Sequence, residues 1–485
     1  MGSLGAVRVA LLVLGAAASF HLAFLFAPLC WLVLVYLGCL FELRRVPTAR
    51  QAFYLGMLVG LGVFVPETGF LWGIFGPAAI PLWFILAFFH GLFLLLLHRV
   101  EIRLGTRWAV WLAPILWCGI EYFRSEVWWL RFTWFMAGSV FNPPWGVAQN
   151  VGVYGLGLLG FQGAILLRRL ASRTFTRPDC ILMVVWVLLV IGLEALALTT
   201  SARPGIIKVA GVQLEFPGPP EVLTALDRVT KAHPEAELLM LSEYTFDGPV
   251  PDSVKAWCQR NRKWLVVGGK EVIHPGDSPN ADAALKPKMY GLMQPPAPSE
   301  RYFNTAYVIG TNGEVAFAQA KSVPIQFFKD GEPAREQRLW DSPWGKIGIA
   351  ICYDLSYRRV MDELIRQGAR ALLIPTMDVE QWGEHEHQLN ARMARIRAAE
   401  YGVPIFRIAS SGISQLVDAS GREQVTAAYP GPGDIIAGDL RLRKISGRVP
   451  LDSWLAPACT VGTVCVMVGL IVLAWRDRCL RKEAA

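Results

Sequence analysis

The sequence predicts a polytopic α-helical membrane domain joined to a layered α/β domain of the α-β-β-α sandwich type. Three observations carry this expectation. The chain has 485 residues, of which 53% are hydrophobic and only 18% charged, outside the usual balance of globular proteins. Charges are sparse across 8–200 and 457–475, whereas 205–455 has ordinary globular composition. From Pro204 onward, short β-rich runs alternate with polar helical stretches, the pattern of an α/β or layered domain. The predicted domains are therefore 1–203 (transmembrane, about seven helices), 204–445 (water-exposed), and 446–485 (a last transmembrane helix with its tail).

A helix crossing a hydrocarbon core of about 30 Å needs about 20 apolar residues. Eight segments meet or approach that length: Val7 to Phe20, His21 to Phe41, Ala52 to Phe75, Ala78 to Leu97, Trp108 to Phe123, Gly146 to Leu167, Cys180 to Leu198 and Pro457 to Trp475. The first two are short, with a break expected near His21. The amino terminus resembles a signal peptide, with Arg8 before an apolar stretch. The apolar material continues through Leu40 without a small-residue cleavage site, so a retained pair of spans is expected.

Basic residues follow the even-numbered spans: Arg44, Arg45 and Arg50; Arg99, Arg103 and Arg107; Arg168, Arg169, Arg173 and Arg177; Arg476, Arg478, Arg481 and Lys482. Loops that retain Lys and Arg stay cytoplasmic. Both termini are then expected inside and residues 205–455 outside. The net charge of +8 is explained by these topology determinants, and no basic face or run points to nucleic acid. The loop from Arg124 to Trp145 carries Trp128, Trp129, Trp134 and Trp145 and reads as an interfacial aromatic belt, with lipid head-group binding as the alternative. Glu67, Glu121 and Glu194 are costly in apolar spans. Such residues normally mark function; each lies near a predicted span end, so contact with water is at least as much expected.

Seven of the nine cysteines lie in or beside apolar segments or in the tail, which leaves Cys258 and Cys352 in the water-exposed part. No disulfide framework and no CxxC motif is present. Candidate strands there are Ile206 to Gln213, Leu238 to Leu241, Trp264 to Gly268, Thr305 to Ile309, Lys346 to Ile351, Ala371 to Pro375 and Ile405 to Ala409. Three polar residues stand out. Glu243 ends the run Leu238 to Ser242 and is a general-base candidate. Lys321 follows the hairpin-like Thr311-Asn312-Gly313-Glu314 turn and could steady an oxyanion. Cys352 ends an apolar strand, where a sharp turn exposes a thiol and frees the following backbone N–H groups. Taken singly, each has an ordinary reading: an acidic strand end, a surface lysine, a buried structural cysteine. Glu384-His385-Glu386-His387 offers imidazoles two residues apart but no well-spaced third ligand, so no metal is expected.

Together, Glu243, Lys321 and Cys352 at three strand ends resemble the Glu-Lys-Cys triad of the nitrilase, or carbon-nitrogen hydrolase, superfamily. The resemblance spans roughly Ile206 to Leu442 and includes Arg397 to Glu400, Gly402-Val403-Pro404 and Ser411 to Ser414. With seven spans before that domain and one after it, the whole chain resembles the apolipoprotein N-acyltransferases. Further agreement lies in Phe53 to Trp72, Trp117 to Arg124, Gly152 to Leu156 and Gln388 to Glu400. The chain departs from the family at Ser242, where proline is usual. It departs again at Lys329, where a fourth catalytic glutamate is usual, and Glu332 is the expected replacement. In Met377 to Gly383 it keeps Asp378 and Trp382 in shifted spacing.

The resemblance implies a nitrilase-like catalytic domain on the periplasmic side of a bacterial inner membrane. It implies no cofactor and a monomer. The acyl donor would be a phospholipid, phosphatidylethanolamine by expectation, and the acceptors diacylglyceryl lipoproteins. Tyr353 and Asp354 join Glu332 as auxiliary or oxyanion candidates. Trp382 and His387 are substrate-binding candidates. The proline-rich stretch His274 to Pro298 reads as a long loop, either a lid or a plain insertion. Two rival classes keep part of the pattern. A membrane-tethered amidase would use the same triad with water, and a lipid-binding scaffold would need the spans alone.

Overall fold

In lipid, a chain satisfies its backbone polar groups within the segment only as a helix, and most of the described residues of the amino-terminal part are helical. The computed structural model describes residues 5–141, 146–172, 175–197, 205–273, 301–427, 429–431, 433–443 and 447–483. Its helices in the amino-terminal part are α1 (Ala6–Leu25), α2 (Leu32–Leu43), α3 (Ala49–Glu67), α4 (Phe70–Phe75), α5 (Ala79–Leu104), α6 (Thr106–Tyr122), α7 (Val147–Ala171) and α8 (Arg177–Ala197). The chain divides into two compact units. One comprises Met1–Ser201, Ala399–Tyr401 and Val449–Ala485; the other comprises Ala202–Ala398 and Gly402–Arg448.

Among the described residues, six helices are long and apolar enough to cross a membrane. Two expected spans fall short: α2 has 12 residues and α6 has 17. The break expected near His21 lies further on. α1 continues through His21 to Leu25, and a 3-10 turn at Ala27–Leu29, started by Pro28, separates it from α2. The third expected span is interrupted after Glu67, with Pro66 in the last turn of α3. α3 and α5 meet closely because a small residue recurs every four positions. A Cβ at Gly56 would lie 2.7 Å from Gly91 Cα, and one at Gly60 would lie 2.6 Å from Ala87 Cα, the close approach that small-residue spacing permits between membrane helices.

The tryptophan-rich loop is not a simple interfacial belt. Trp134 is buried, Arg124 is buried with its guanidinium donating to the Trp134 carbonyl at 3.2 Å, and of the loop's described tryptophans only Trp129 stands well exposed. Phe132 and Phe135 pack on Phe64. The three glutamates near the predicted span ends each have a protein partner. Glu67 meets His21 Nδ1 at 2.6 Å, Glu121 accepts from the Ala137 amide at 2.8 Å, and Glu194 accepts from the Val147 amide at 2.8 Å.

The second unit repeats one design twice. Its helices are α9 (Pro219–Ala232), α10 (Asp252–Asn261), α11 (Arg358–Arg366) and α12 (Glu384–Tyr401); α13 (Asp452–Glu483) belongs to the first unit. Its first sheet contains β1 (Gly205–Val212), β2 (Leu238–Met240), β3 (Trp264–Val272), β4 (Tyr302–Ile309), β5 (Val315–Ala320) and, at the far edge, β12 (Ile435–Leu442), in the order β12-β1-β2-β3-β4-β5. The second contains β6 (Leu339–Ser342), β7 (Gly345–Ile349), β8 (Leu372–Thr376), β9 (Ile405–Ala409), β10 (Gln415–Val417) and β11 (Glu423–Thr426), in the order β11-β10-β9-β8-β7-β6. In each sheet three central strands run parallel and the flanking strands antiparallel. Ile207, Val209 and Val266 of the first sheet share a core with Ile349, Leu373 and Phe406 of the second. α9 and α10 cover the outer face of the first sheet, and α11 lays Leu364 against Gly348 of the second. This is an α-β-β-α sandwich.

All seven expected strands are present. The five not anticipated, β5, β6, β10, β11 and β12, include short or half-exposed edge strands whose polar faces dilute the hydrophobic period.

Candidate functional site

Parallel strands present their carboxyl ends at one edge, where the loops that follow gather polar groups. β2 leads through Leu241 and Ser242 to Glu243, β7 through Ala350 and Ile351 to Cys352, β8 to Met377, and β5 directly to Lys321. The backbone is tightly shaped at two of these positions. Cys352 has φ of 51° and Tyr244, just after Glu243, also has φ of 51°, a left-handed conformation costly for residues with a Cβ. Gly268 on β3 makes room for the glutamate, since a Cβ there would lie 2.6 Å from Glu243 Cα.

Lys321 and Glu243 are both almost wholly buried, with Lys321 Nζ 2.9 Å from Glu243 Oε1. A second carboxylate completes the group: Asp330 Oδ2 lies 2.7 Å from the same ammonium. Asn304 Nδ2 donates to both acids, at 2.6 Å to Glu243 and 2.9 Å to Asp330, and the Tyr244 hydroxyl donates to Asp330 at 3.0 Å. The Met377 peptide ties this group to the thiol. Its N–H donates to Glu243 Oε2 at 2.8 Å, and its carbonyl faces Cys352 Sγ at 3.8 Å.

Electrostatics follow from burial. Desolvation opposes a charged Lys321, but Asp330 and Glu243 outweigh it and hold the ammonium well above its usual range. Burial, with Asp330 beside it, raises Glu243 above the ordinary carboxylate range against the pull of Lys321. Burial and the Glu243 charge push the Cys352 thiol well up, against Lys321. Its neighbours thus favour the ammonium form of Lys321, make Glu243 a stronger base than an ordinary carboxylate, and oppose ionisation of the Cys352 thiol. Such a set can remove a proton from sulfur as the sulfur attacks.

Asp354 is not an oxyanion donor. Its buried carboxylate accepts from the amides of Ser322 at 2.9 Å, Val323 at 2.7 Å and Ile351 at 3.3 Å, and its own N–H is taken by the Ile351 carbonyl. It staples the lysine loop to the cysteine turn. Burial brings it to about 6, against Lys321 and those amides. The Tyr353 ring packs edge-on against Tyr357 at 5.3 Å.

Glu332 does not take the place expected for it. It pairs with Arg301 at 3.4 Å near the surface, and the carboxylate against Lys321 is Asp330. Trp382 is half-buried, 6.0 Å from the Phe328 ring. His387 is fully buried, its Nε2 bonded to the Val379 carbonyl at 2.9 Å and its ring 4.4 Å from Tyr429. It fastens a loop and offers no surface to a substrate. Asp378, Glu386 and His387 bring donor atoms within 4.8 Å of one another. Asp378, however, already accepts from Arg407 and Asn390, so a cation would have to displace a guanidinium. The proline-rich stretch His274 to Pro298 lies outside the described residues.

Sequence reasoning missed Asp330, Asn304, Tyr244 and the Met377 peptide. Asp330 stood one residue past the family offset in Asp330-Gly331-Glu332, a visible acid passed over for its neighbour. Asn304 and Met377 left no signal, because their role is set by pairing between distant strands.

Residues 10–166 match the family described as the apolipoprotein N-acyltransferase N-terminal domain, and residues 219–445 match carbon-nitrogen hydrolase. The chain is similar to an apolipoprotein N-acyltransferase of Azotobacter vinelandii, 27% identical over 449 residues, which are 81% of this chain and 80% of that protein. It is also similar to a deaminated glutathione amidase of Dictyostelium discoideum, 29% identical over 195 residues covering 36% of this chain and 60% of the relative. Among solved structures, a Saccharomyces cerevisiae member of branch 10 of the nitrilase superfamily aligns at 20% identity and a TM-score of 0.39, covering 50% of this chain and 93% of that one. With an acyltransferase amino-terminal domain and a carbon-nitrogen hydrolase domain on one chain, and a similar protein matched over most of its length, this chain belongs to the apolipoprotein N-acyltransferase family, acyltransferase enzymes of the nitrilase superfamily.

Proposed function

We propose that the chain transfers a fatty acyl group from a membrane phospholipid, phosphatidylethanolamine in the first instance, to the N-terminal amine of a diacylglyceryl-cysteine lipoprotein through a thioester on Cys352. The observation that carries this reading is the Met377 peptide, which bonds Glu243 through its N–H and faces the Cys352 thiol through its carbonyl. It brings base and nucleophile to one peptide unit while Lys321 and Asp330 hold the base in place.

In the first step Glu243 takes the Cys352 proton as sulfur attacks the ester carbonyl. Lys321 and the Tyr353 backbone N–H steady the tetrahedral oxyanion. The intermediate collapses, the lysophospholipid oxygen leaves with the proton from Glu243, and a thioester remains. In the second step the lipoprotein amine attacks, Glu243 takes its proton and returns it to sulfur, and amide and free thiol result. Both substrates are anchored lipids, so a membrane-embedded enzyme meets them where they reside. The residue spans 1–203, 204–445 and 446–485 serve as membrane, catalytic and anchoring parts. The catalytic part faces the periplasm of a bacterial inner membrane, both termini are cytoplasmic, and the chain works as a monomer.

The test is intact mass of the detergent-purified chain after incubation with phosphatidylethanolamine, beside Cys352→Ala. An acyl increment on the native chain alone, discharged onto an added diacylglyceryl-cysteine peptide, supports the reading. An adduct lost only to water would instead make the enzyme a membrane-tethered carbon-nitrogen hydrolase using the same residues.

A further inference from the structure

Away from the candidate site, guanidiniums outnumber carboxylates in a cluster at the ends of α1, α2 and α7. Glu42, in the last turn of α2, is buried. Three guanidiniums from three places in the chain converge on its Oε2 atom: Arg8 at 3.4 Å, Arg45 at 3.3 Å and Arg168 at 3.3 Å. Arg44 approaches the other oxygen at 3.8 Å and pairs with Glu101 at 3.0 Å. Glu101 is itself occupied, accepting from Thr106 as well. Four guanidiniums therefore share two carboxylates.

Geometry shows that the three outer arginines are underused. Well-formed charge-assisted pairs have N···O of about 2.7–2.9 Å and often use both arms of the guanidinium fork, whereas each of these three makes one longer contact to a single shared oxygen. Arg45 Nε is buried with no hydrogen-bond partner. The arginine side chains remain 52%, 24% and 29% exposed for Arg8, Arg45 and Arg168, while Glu42 beneath them is 7% exposed. Three partly exposed guanidiniums gathered on one buried carboxylate form a basic patch. It lies at the ends of α1, α2 and α7, and the ends of membrane-spanning helices are where lipid head groups are met.

We infer that Arg8, Arg45 and Arg168 form a binding site for the phosphate of an anionic phospholipid head group in the leaflet at those helix ends. A phosphodiester carries one negative charge and several acceptor oxygens, so it satisfies the underused guanidiniums and offsets the excess positive charge. A zwitterionic head group brings a cation that this surplus repels. The site is independent of the acyl-transfer reading, since none of its residues belongs to the Cys352 group.

The experiment is native mass spectrometry of the full-length chain in detergent, titrated separately with dioleoylphosphatidylglycerol, dioleoylphosphatidylcholine and inorganic phosphate. Phosphatidylglycerol should be retained at clearly lower concentration than phosphatidylcholine. In Arg45→Gln/Arg168→Gln the preference should weaken by roughly fivefold per arginine, the size expected of one basic residue at an anionic surface. Glu42→Gln, which removes the competing anion, should strengthen it. Should that variant fail to fold, the exposed Arg8→Gln carries the test alone by weakening retention. Equal retention of both lipids, or a preference untouched in the arginine variants, overturns the inference. So does inorganic phosphate abolishing lipid retention at low millimolar concentration, which would mark a free-phosphate site.

Discussion

Asp330 is the residue on which the chemistry of the Glu243–Lys321 pair turns. Its charge helps raise Glu243 and helps keep Lys321 protonated. Because Glu243 must be ionised to act as base, activity should fall as pH drops through a value above the ordinary carboxylate range. In Asp330→Asn one source of that elevation is gone, so the acid limb of the kcat profile should move to lower pH, and the weaker base should lower kcat by roughly 10- to 100-fold. Glu332→Gln, at a surface pair with Arg301, should stay within about twofold of the parent. Equal effects of the two substitutions would return the role to Glu332. Cys352 supplies a second check. With its thiol held well above the usual range, it should alkylate with iodoacetamide at pH 7 roughly tenfold or more slowly than a free cysteine peptide and accelerate as pH rises. Peptide-level mass spectrometry reads this directly, and rapid, pH-independent alkylation would mean a resting thiolate.

At the scale of elements, close approach of helices and loops takes the place of bulk. α3 and α5 pack through Gly56, Gly60, Ala87 and Gly91, so Gly56→Ala must push the two helices apart. That overpacking should cost about 1–3 kcal/mol, seen as a lower midpoint of thermal aggregation in detergent, while Gly192→Ala, with open space around it, should leave the midpoint unchanged. In the second unit the equivalent device is Asp354, whose three accepted amides join the loop after β5 to the turn after β7. The sandwich needs such staples because Lys321 and Cys352 come from different sheets.

At the scale of the whole molecule, the claim to test is orientation. Ser420 is exposed on the turn between β10 and β11. In intact cells or spheroplasts, Ser420→Cys should react with a membrane-impermeant maleimide from outside, above the level of the parent chain. Labelling only after lysis would reverse the orientation drawn from the arginines after the even-numbered spans.

Much of this was legible before any coordinates. The membrane helices could be read because lipid demands long apolar runs with internally satisfied backbones, and such runs are local in sequence. The sandwich could be read from its central strands, buried on both faces and hence continuously apolar. Glu243 and Cys352 were legible because each ends such a run, whereas Lys321, after the half-exposed edge strand β5, was legible only through the resemblance of the three residues together to a Glu-Lys-Cys triad. What only the tertiary structure decided is pairing across distance: Asp330 rather than Glu332 against Lys321, the Met377 peptide between Glu243 and Cys352, and Asp354 and His387 as fasteners. Protein partners for Glu67, Glu121 and Glu194 belong with these. A buried charge takes whichever partner the fold brings within about 3 Å, and neither composition nor period records which distant residue that will be.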